Sequence, residues 1–133
     1  MRYLLAYLGS GLTMGVLDAI WLTLMAPRLY RPAIGELMAA RPNMRAAIAF
    51  YLIYVFGVVF LAVMPALREG SALRAAIMGG VLGLVAYATY DLTNQATLRI
   101  WPTHITLIDL AWGVFLTTTA ALGGYWLAAR FSA

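Results

Sequence analysis

Three aspartates inside long apolar stretches are the residues of this chain whose type and position suit chemistry. The sequence has five acidic residues, and Asp18, Asp91 and Asp109 each lie within a hydrophobic run. A carboxyl group inside a bilayer costs at least about 2.5–3.5 kcal/mol on insertion scales, so such residues are rare and are usually paired or functional. Carboxyls placed there can bind a cation, relay a proton or serve as general acid and base.

Aromatic and polar side chains share the helical faces of these aspartates. Trp21 follows Asp18, and Trp112 follows Asp109, at a spacing that puts each indole on the face of a carboxyl, where its N–H can bond a neighbour's carboxylate. The most polar run of the chain spans 87–97. We therefore predict an intramembrane polar pocket, with the three aspartates as candidate catalytic residues and with ligand-binding residues Asp18, Trp21, Tyr87, Tyr90, Asp91, Asn94, Asp109 and Trp112.

The polar run also has a structural interpretation. Asparagine and threonine can bond across helices, and Asp91 can pair with Arg99 or accept bonds from tyrosines. A metal site has less support, because the chain has one histidine and no local ligand cluster, so we predict neither a metal nor a cofactor. We interpret His104 as an interfacial loop residue, and Trp101 and Tyr30 as interfacial aromatics.

Membrane-spanning helices are the elements that must position these residues. Hydrophobic residues make up 64% of the chain and charged residues 11%, against about 45–50% and about 25% in soluble domains. A chain of 133 residues has too little interior to bury that apolar surface in water. We predict an all-α integral membrane four-helix bundle, a single domain over 1–133, with spans at about 3–25, 46–64, 75–98 and 107–129.

The helical faces and links predict how the bundle is arranged. All three carboxyls fall in the half of the membrane that carries Arg28 and His104, while Gly11–Gly15 and Gly79–Gly83 have the GxxxG spacing that lets helices pack closely. We expect the second span to act as a wall, since its stripe of Phe50, Tyr54, Gly57 and Leu61 brings one hydroxyl. Between the first two spans, Pro32 can open a short interfacial helix through Ala40, or the segment can form a buried cap.

Composition and charge exclude several classes of protein. The chain has no cysteine and no lysine, which excludes disulfides, thiolate metal sites and Schiff-base cofactors. The net charge of +4 comes from arginines scattered singly, which suit the ends of spans and leave no basic face for nucleic acid. Four arginines lie on the side of both termini and five on the other, so the positive-inside rule does not select an orientation.

The residues around the aspartates also resemble a known family. Asp18-x-x-Trp21, the run Tyr90-Asp91-Leu92-Thr93-Asn94-Gln95-Ala96-Thr97 and Asp109-x-x-Trp112-Gly113 resemble an uncharacterised bacterial family of small four-span membrane proteins, a domain of unknown function. The resemblance implies a multi-pass protein of the bacterial inner membrane and supplies no activity. More loosely, the acid-and-tryptophan pattern is similar to membrane sterol-isomerase and sigma-receptor-like proteins, by architectural analogy alone.

The pocket leads to several functional hypotheses. The first is binding of a small amphipathic or cationic molecule, with carboxylates for its charge and aromatic rings for cation–π contact. The alternatives are a membrane-embedded enzyme with isomerase-like acid and base chemistry on a lipid or isoprenoid, a proton-coupled small transporter, and a structural subunit. The expected partners are membrane lipid, the small ligand and a second copy of the chain in a homodimer.

Overall fold

Four consecutive helices, each long and apolar enough to cross a membrane, make up the computed structural model, which describes residues 1–132. No strand occurs in that range, so the predicted all-α four-helix fold is confirmed. Short connections join the helices, and the longest of them spans residues 38–43. The helices are α1 (Arg2–Leu37), α2 (Met44–Glu69), α3 (Ala72–Thr97) and α4 (Thr103–Phe131).

The first helix continues through the prolines that were expected to end it. It makes a π turn at Ala26–Tyr30, in which the backbone N–H of Arg31 bonds to the carbonyl of Ala26, and it then runs on to Leu37. Pro32 lacks a backbone N–H, and its ring crowds the carbonyl four residues earlier. The wider π turn just before it accommodates that crowding. The regular α-helix therefore stops at the predicted Met25, but the chain stays helical to Leu37, so residues 31–37 do not form a separate helix.

The second helix also contains a π turn just before a proline. A π turn at Val59–Val63 lies just before Pro65, with the N–H of Met64 bonded to the carbonyl of Val59. The helix then continues to Glu69 and ends at Gly70, whose φ of 63° is the left-handed conformation that glycine favours at a helix C-terminus. The helix therefore continues past 64, where the sequence had ended the second span because a proline within a helix was treated as a terminator.

Close helix contacts are made through glycine. A Cβ on Gly79 would lie 2.8 Å from that of Ala121, and one on Gly83 would collide with the carbonyl oxygen of Gly113, so the predicted Gly79–Gly83 contact is confirmed. The prediction for Gly11–Gly15 is wrong, because Gly15 is exposed with nothing near its Cβ direction. In α1 the close approach is made instead by Gly9, whose Cβ would lie 2.5 Å from the carbonyl oxygen of Gly123.

The last helix is central to the bundle, and the continuation of α1 covers one end of it. Helix α4 packs along both α1 and α3, while α2 joins the bundle largely through Val59–Val63. At the end that carries the aspartates, Ile34 of α1 packs against Trp101 and Ile105. Trp101 is 9% exposed and its indole donates to Thr106 Oγ1 at 3.1 Å, so it is a buried residue and not an interfacial aromatic. Ile34 is the buried residue of this segment and residues 36–45 are exposed, so the interfacial and buried-cap alternatives both stay predictions.

Candidate functional site

Asp18 is held by two donors from different helices. The side chain is buried, the phenol of Tyr51 in α2 donates to Oδ2, and the indole Nε1 of Trp112 in α4 donates to Oδ1 at 3.2 Å. The expected bond between an indole and a carboxyl of another helix is therefore present. The expectation that α2 is only a wall is wrong, because it contributes Tyr51. Tyr54, the hydroxyl that the sequence stripe selected, pairs instead with Thr117 Oγ1 at 2.8 Å.

Asp109 accepts a hydrogen bond from Tyr30 of α1, the last residue of the π turn. The indole of Trp21 donates to the hydroxyl of Tyr30 at 3.0 Å, and that hydroxyl donates to Oδ1 of Asp109. Tyr30 is half-buried and its hydroxyl binds a carboxyl, a role that its assignment as an interfacial aromatic did not include. Its place at Asp109 depends on the continuation of α1 through Ala26–Tyr30, which sequence reasoning had ended at Pro27.

Asp91 is fully buried and lacks a donor. Neither of its carboxyl oxygens has a hydrogen-bond partner in residues 1–132. Its carboxyl neighbours that of Asp109, and because an ionised carboxylate only accepts hydrogen bonds, ionised Asp109 cannot supply the missing donor. The alternative pairing with Arg99 is not observed: the one ion pair within 1–132 joins Arg74 to Glu69 at 3.8 Å.

An acidic, aromatic cleft of about 300 Å³ opens beside these carboxyls. No basic side chain lines it among the residues that the structure describes. We call it the head cleft; its lining is Asp18, Trp21, Leu22, Ala26, Tyr30, Ile34, Met38, Tyr87, Tyr90, Asp109 and Trp112. Of the eight residues predicted for the pocket, Asp91 and Asn94 do not line the cleft, and the other six do. Asp91 is buried next to Asp109, and Asn94 is half-buried on α3.

Two tryptophans stack on each other in the wall of the head cleft. The ring centroids of Trp21 and Trp112 are 4.3 Å apart and their planes differ by 8°. The cleft lining also includes the ring of Tyr87, which lies so close to Gly113 that a Cβ there would collide with it. The cleft therefore combines carboxylate oxygens with aromatic faces, and these are the groups that hold an organic cation.

A second cavity of about 360 Å³ adjoins the head cleft between α2 and α3. We call it the chain groove; it is lined by Phe50, Tyr54, Ala86, Tyr87, Tyr90 and Asp109. A larger groove of about 510 Å³ lies between α1 and α2, but none of its lining residues is acidic. No set of three or more histidines, cysteines, aspartates or glutamates is placed to hold a metal ion within the described chain.

The match to a protein family agrees with this architecture. Residues 3–126 match the family described as "Predicted membrane protein (DUF2177)". The chain belongs to this family. The match includes all four helices and all three buried aspartates, so the resemblance to a family of four-span membrane proteins of unknown function is confirmed, and the chain is a multi-pass membrane protein. We found no match among curated proteins or among solved structures. A bacterial inner-membrane location and a homodimer stay predictions.

Proposed function

We propose that this membrane protein binds the cationic head of a small amphipathic molecule in the head cleft. The observation that carries the proposal is an uncompensated acidic site: Asp18 and Asp109 line the cleft, Asp91 adjoins it, and no basic side chain lines it in the described part of the chain. Ionised carboxylates away from water are costly unless a positive charge pairs with them. An organic cation supplies that charge.

The aromatic walls favour an alkylammonium over a small inorganic cation. The stacked rings of Trp21 and Trp112 line the cleft beside both carboxyls, and a cation within about 6 Å of such a ring is attracted by its quadrupole. The side chains that donate hydrogen bonds to Asp18 and Asp109 come from three different helices. These hydrogen bonds orient both carboxyls before a ligand arrives. A site organised in advance loses less free energy when the ligand binds.

Binding of benzyltrimethylammonium to the purified protein in phosphatidylcholine nanodiscs tests the proposal. Neopentylbenzene, its uncharged isostere, controls for apolar partitioning. We expect saturable binding of the cation and not of the isostere, and a loss of at least about tenfold in affinity, or about 1.4 kcal/mol, for Asp109→Asn. Glu69→Gln, an exposed acid at the opposite end of the bundle, should leave affinity unchanged. Equal binding of the two probes, or unchanged affinity in Asp109→Asn, would contradict the proposal.

A second candidate function rests on the contact between Asp91 and Asp109. If one of two adjacent buried carboxyls is protonated, the pair presents an acid and a base at one place, which suits isomerase-like chemistry on a lipid or isoprenoid. Lipid analysis of a strain that lacks the gene tests this candidate. A lipid species that is lost, and is restored by the wild type but not by Asp91→Asn, would support the enzyme; an unchanged lipid profile would count against it.

A further inference from the structure

We infer that the ligand is a lipophilic ammonium ion with a single hydrocarbon chain, which lies in the chain groove and enters sideways from the bilayer between α2 and α3. This inference rests on the proposed function, which assigns the charged head to the head cleft. It adds the nature of the uncharged part, the residues that contact it and its route of entry.

The two cavities meet at Asp109. Tyr87, Tyr90 and Asp109 line both of them, and Asp109 is the one charged residue among the groove-lining residues. An ammonium group at Asp109 therefore has the tryptophan-lined cleft on one side and the groove on the other. A molecule that occupies both cavities must be charged where they join and apolar beyond that point. Because the charged head pairs with Asp109, the part of the ligand that extends into the groove is its uncharged hydrocarbon chain.

The groove offers apolar ring faces to that chain. Phe50 and Tyr54 stack with 5.3 Å between ring centroids, and Tyr54 meets Tyr87 edge to face at 6.5 Å. Because the hydroxyl of Tyr54 is hydrogen-bonded to Thr117 Oγ1, Tyr54 offers its apolar ring to the groove. Ala86 leaves open the space that a larger side chain would fill. Methylene groups fit such walls by dispersion contacts.

The groove is open toward the lipid. At its edge, Phe50 is 46% exposed and Tyr90 is 57% exposed, and both residues belong to helices that can span the membrane. A chain can thus pass from the bilayer into the groove without crossing water. Because lipid tails are as apolar as the groove, selectivity depends on packing of the chain and not on its removal from water.

Size and charge exclude the common membrane lipids as occupants. A volume of about 360 Å³ is at the lower end of the range of about 300–1,000 Å³ for small-molecule sites, which suits one chain and not two. A phosphate head group would meet the carboxyls of Asp18 and Asp109, which repel it. A single-chain amine or quaternary ammonium satisfies both limits.

A chain-length series tests the inference. Affinities of butyl-, octyl- and dodecyltrimethylammonium are measured in phosphatidylcholine nanodiscs and corrected for partitioning into protein-free nanodiscs. We expect octyl to bind at least about fivefold tighter than butyl in the wild type. In Ala86→Phe, which fills the groove, that preference should fall below about twofold with butyl affinity retained. Ala96→Phe, at an exposed position of the same helix outside the groove, should keep the wild-type preference.

The outcomes separate this inference from the proposed function. Equal binding of butyl and octyl chains overturns the inference and leaves the head cleft as a cation site, whereas no binding of any chain length overturns both. If Ala86→Phe does not fold, an octylammonium probe with a terminal diazirine gives the answer in the wild type. Photolabelling of Phe50, Tyr54 or Ala86 supports the groove; labelling of Gly11 and Leu52, in the groove between α1 and α2, overturns it.

Discussion

Trp21 and Trp112 stack face to face, with 4.3 Å between their ring centroids and 8° between their planes. The two residues belong to Asp-x-x-Trp steps on α1 and α4, and each indole leads to the carboxyl of the other step. Trp112 donates directly to Asp18, and Trp21 reaches Asp109 through the hydroxyl of Tyr30. The stacked pair therefore links Asp18 of α1 to α4, and Asp109 of α4 to α1.

Trp112→Phe removes the indole donor to Asp18 while keeping an aromatic ring in the stack. We expect the free energy of unfolding in mixed detergent micelles to fall by about 1 kcal/mol, the usual scale of a hydrogen bond between membrane helices. Trp126→Phe, at an exposed position farther along α4, is the matched control and should change stability little. A Trp112 variant as stable as this control would show that the bond contributes nothing.

Gly113→Ala should disturb both cavities at once. A methyl group at Gly113 collides with the ring of Tyr87, which lines the head cleft and the chain groove, so the ring must move. We expect benzyltrimethylammonium affinity to fall at least about fivefold, an order-of-magnitude expectation for a displaced contact. Gly57→Ala, with nothing within 4 Å of the added methyl, should bind normally. Binding retained in Gly113→Ala would place the ligand away from Tyr87.

The variant Asp91→Asn distinguishes the proposed cation-binding function from the candidate isomerase-like enzyme. The amide is uncharged and can donate to Asp109, whereas an ionised Asp91 can only accept, so we expect a midpoint of thermal unfolding equal to or above that of the wild type. A binding protein should keep its affinity for benzyltrimethylammonium, because Asp18 and Asp109 still line the cleft. A midpoint several degrees lower, or loss of binding, would contradict this view of Asp91.

Much of the bundle is predictable from hydropathy and helical spacing, but the two π turns are not. The four spans and the cross-helix bond from Trp112 to an aspartate follow from apolar length and three-residue steps. Pro27 and Pro65 were interpreted as helix ends and Pro32 as the start of a new helix, because a missing N–H and a bulky ring disfavour a regular α turn. A wider turn before Pro32 and before Pro65 removes that conflict, and no residue pattern that we recognised marks it.

The two tyrosines that hold the carboxyls show a second limit of sequence reasoning. Helix α2 is apolar around its whole circumference, so its sequence did not indicate that Tyr51, one turn from Tyr54, reaches Asp18. Tyr30 was assigned to the interface, where tyrosine and tryptophan are enriched. A carboxyl inside a span, with no basic side chain near it, needs hydrogen-bond donors from other side chains. Tyrosine is a common donor in these spans, so this need could have pointed to both residues.

The position of a bound cation tests the central claim most directly. A crystal structure with benzyltrimethylarsonium, whose arsenic scatters anomalously, locates the head without relying on weak density. The account predicts one arsenic peak in the head cleft, beside Asp109 and within about 6 Å of the ring of Trp21 or Trp112. An arsenic peak in the groove between α1 and α2, with the head cleft empty, would contradict it.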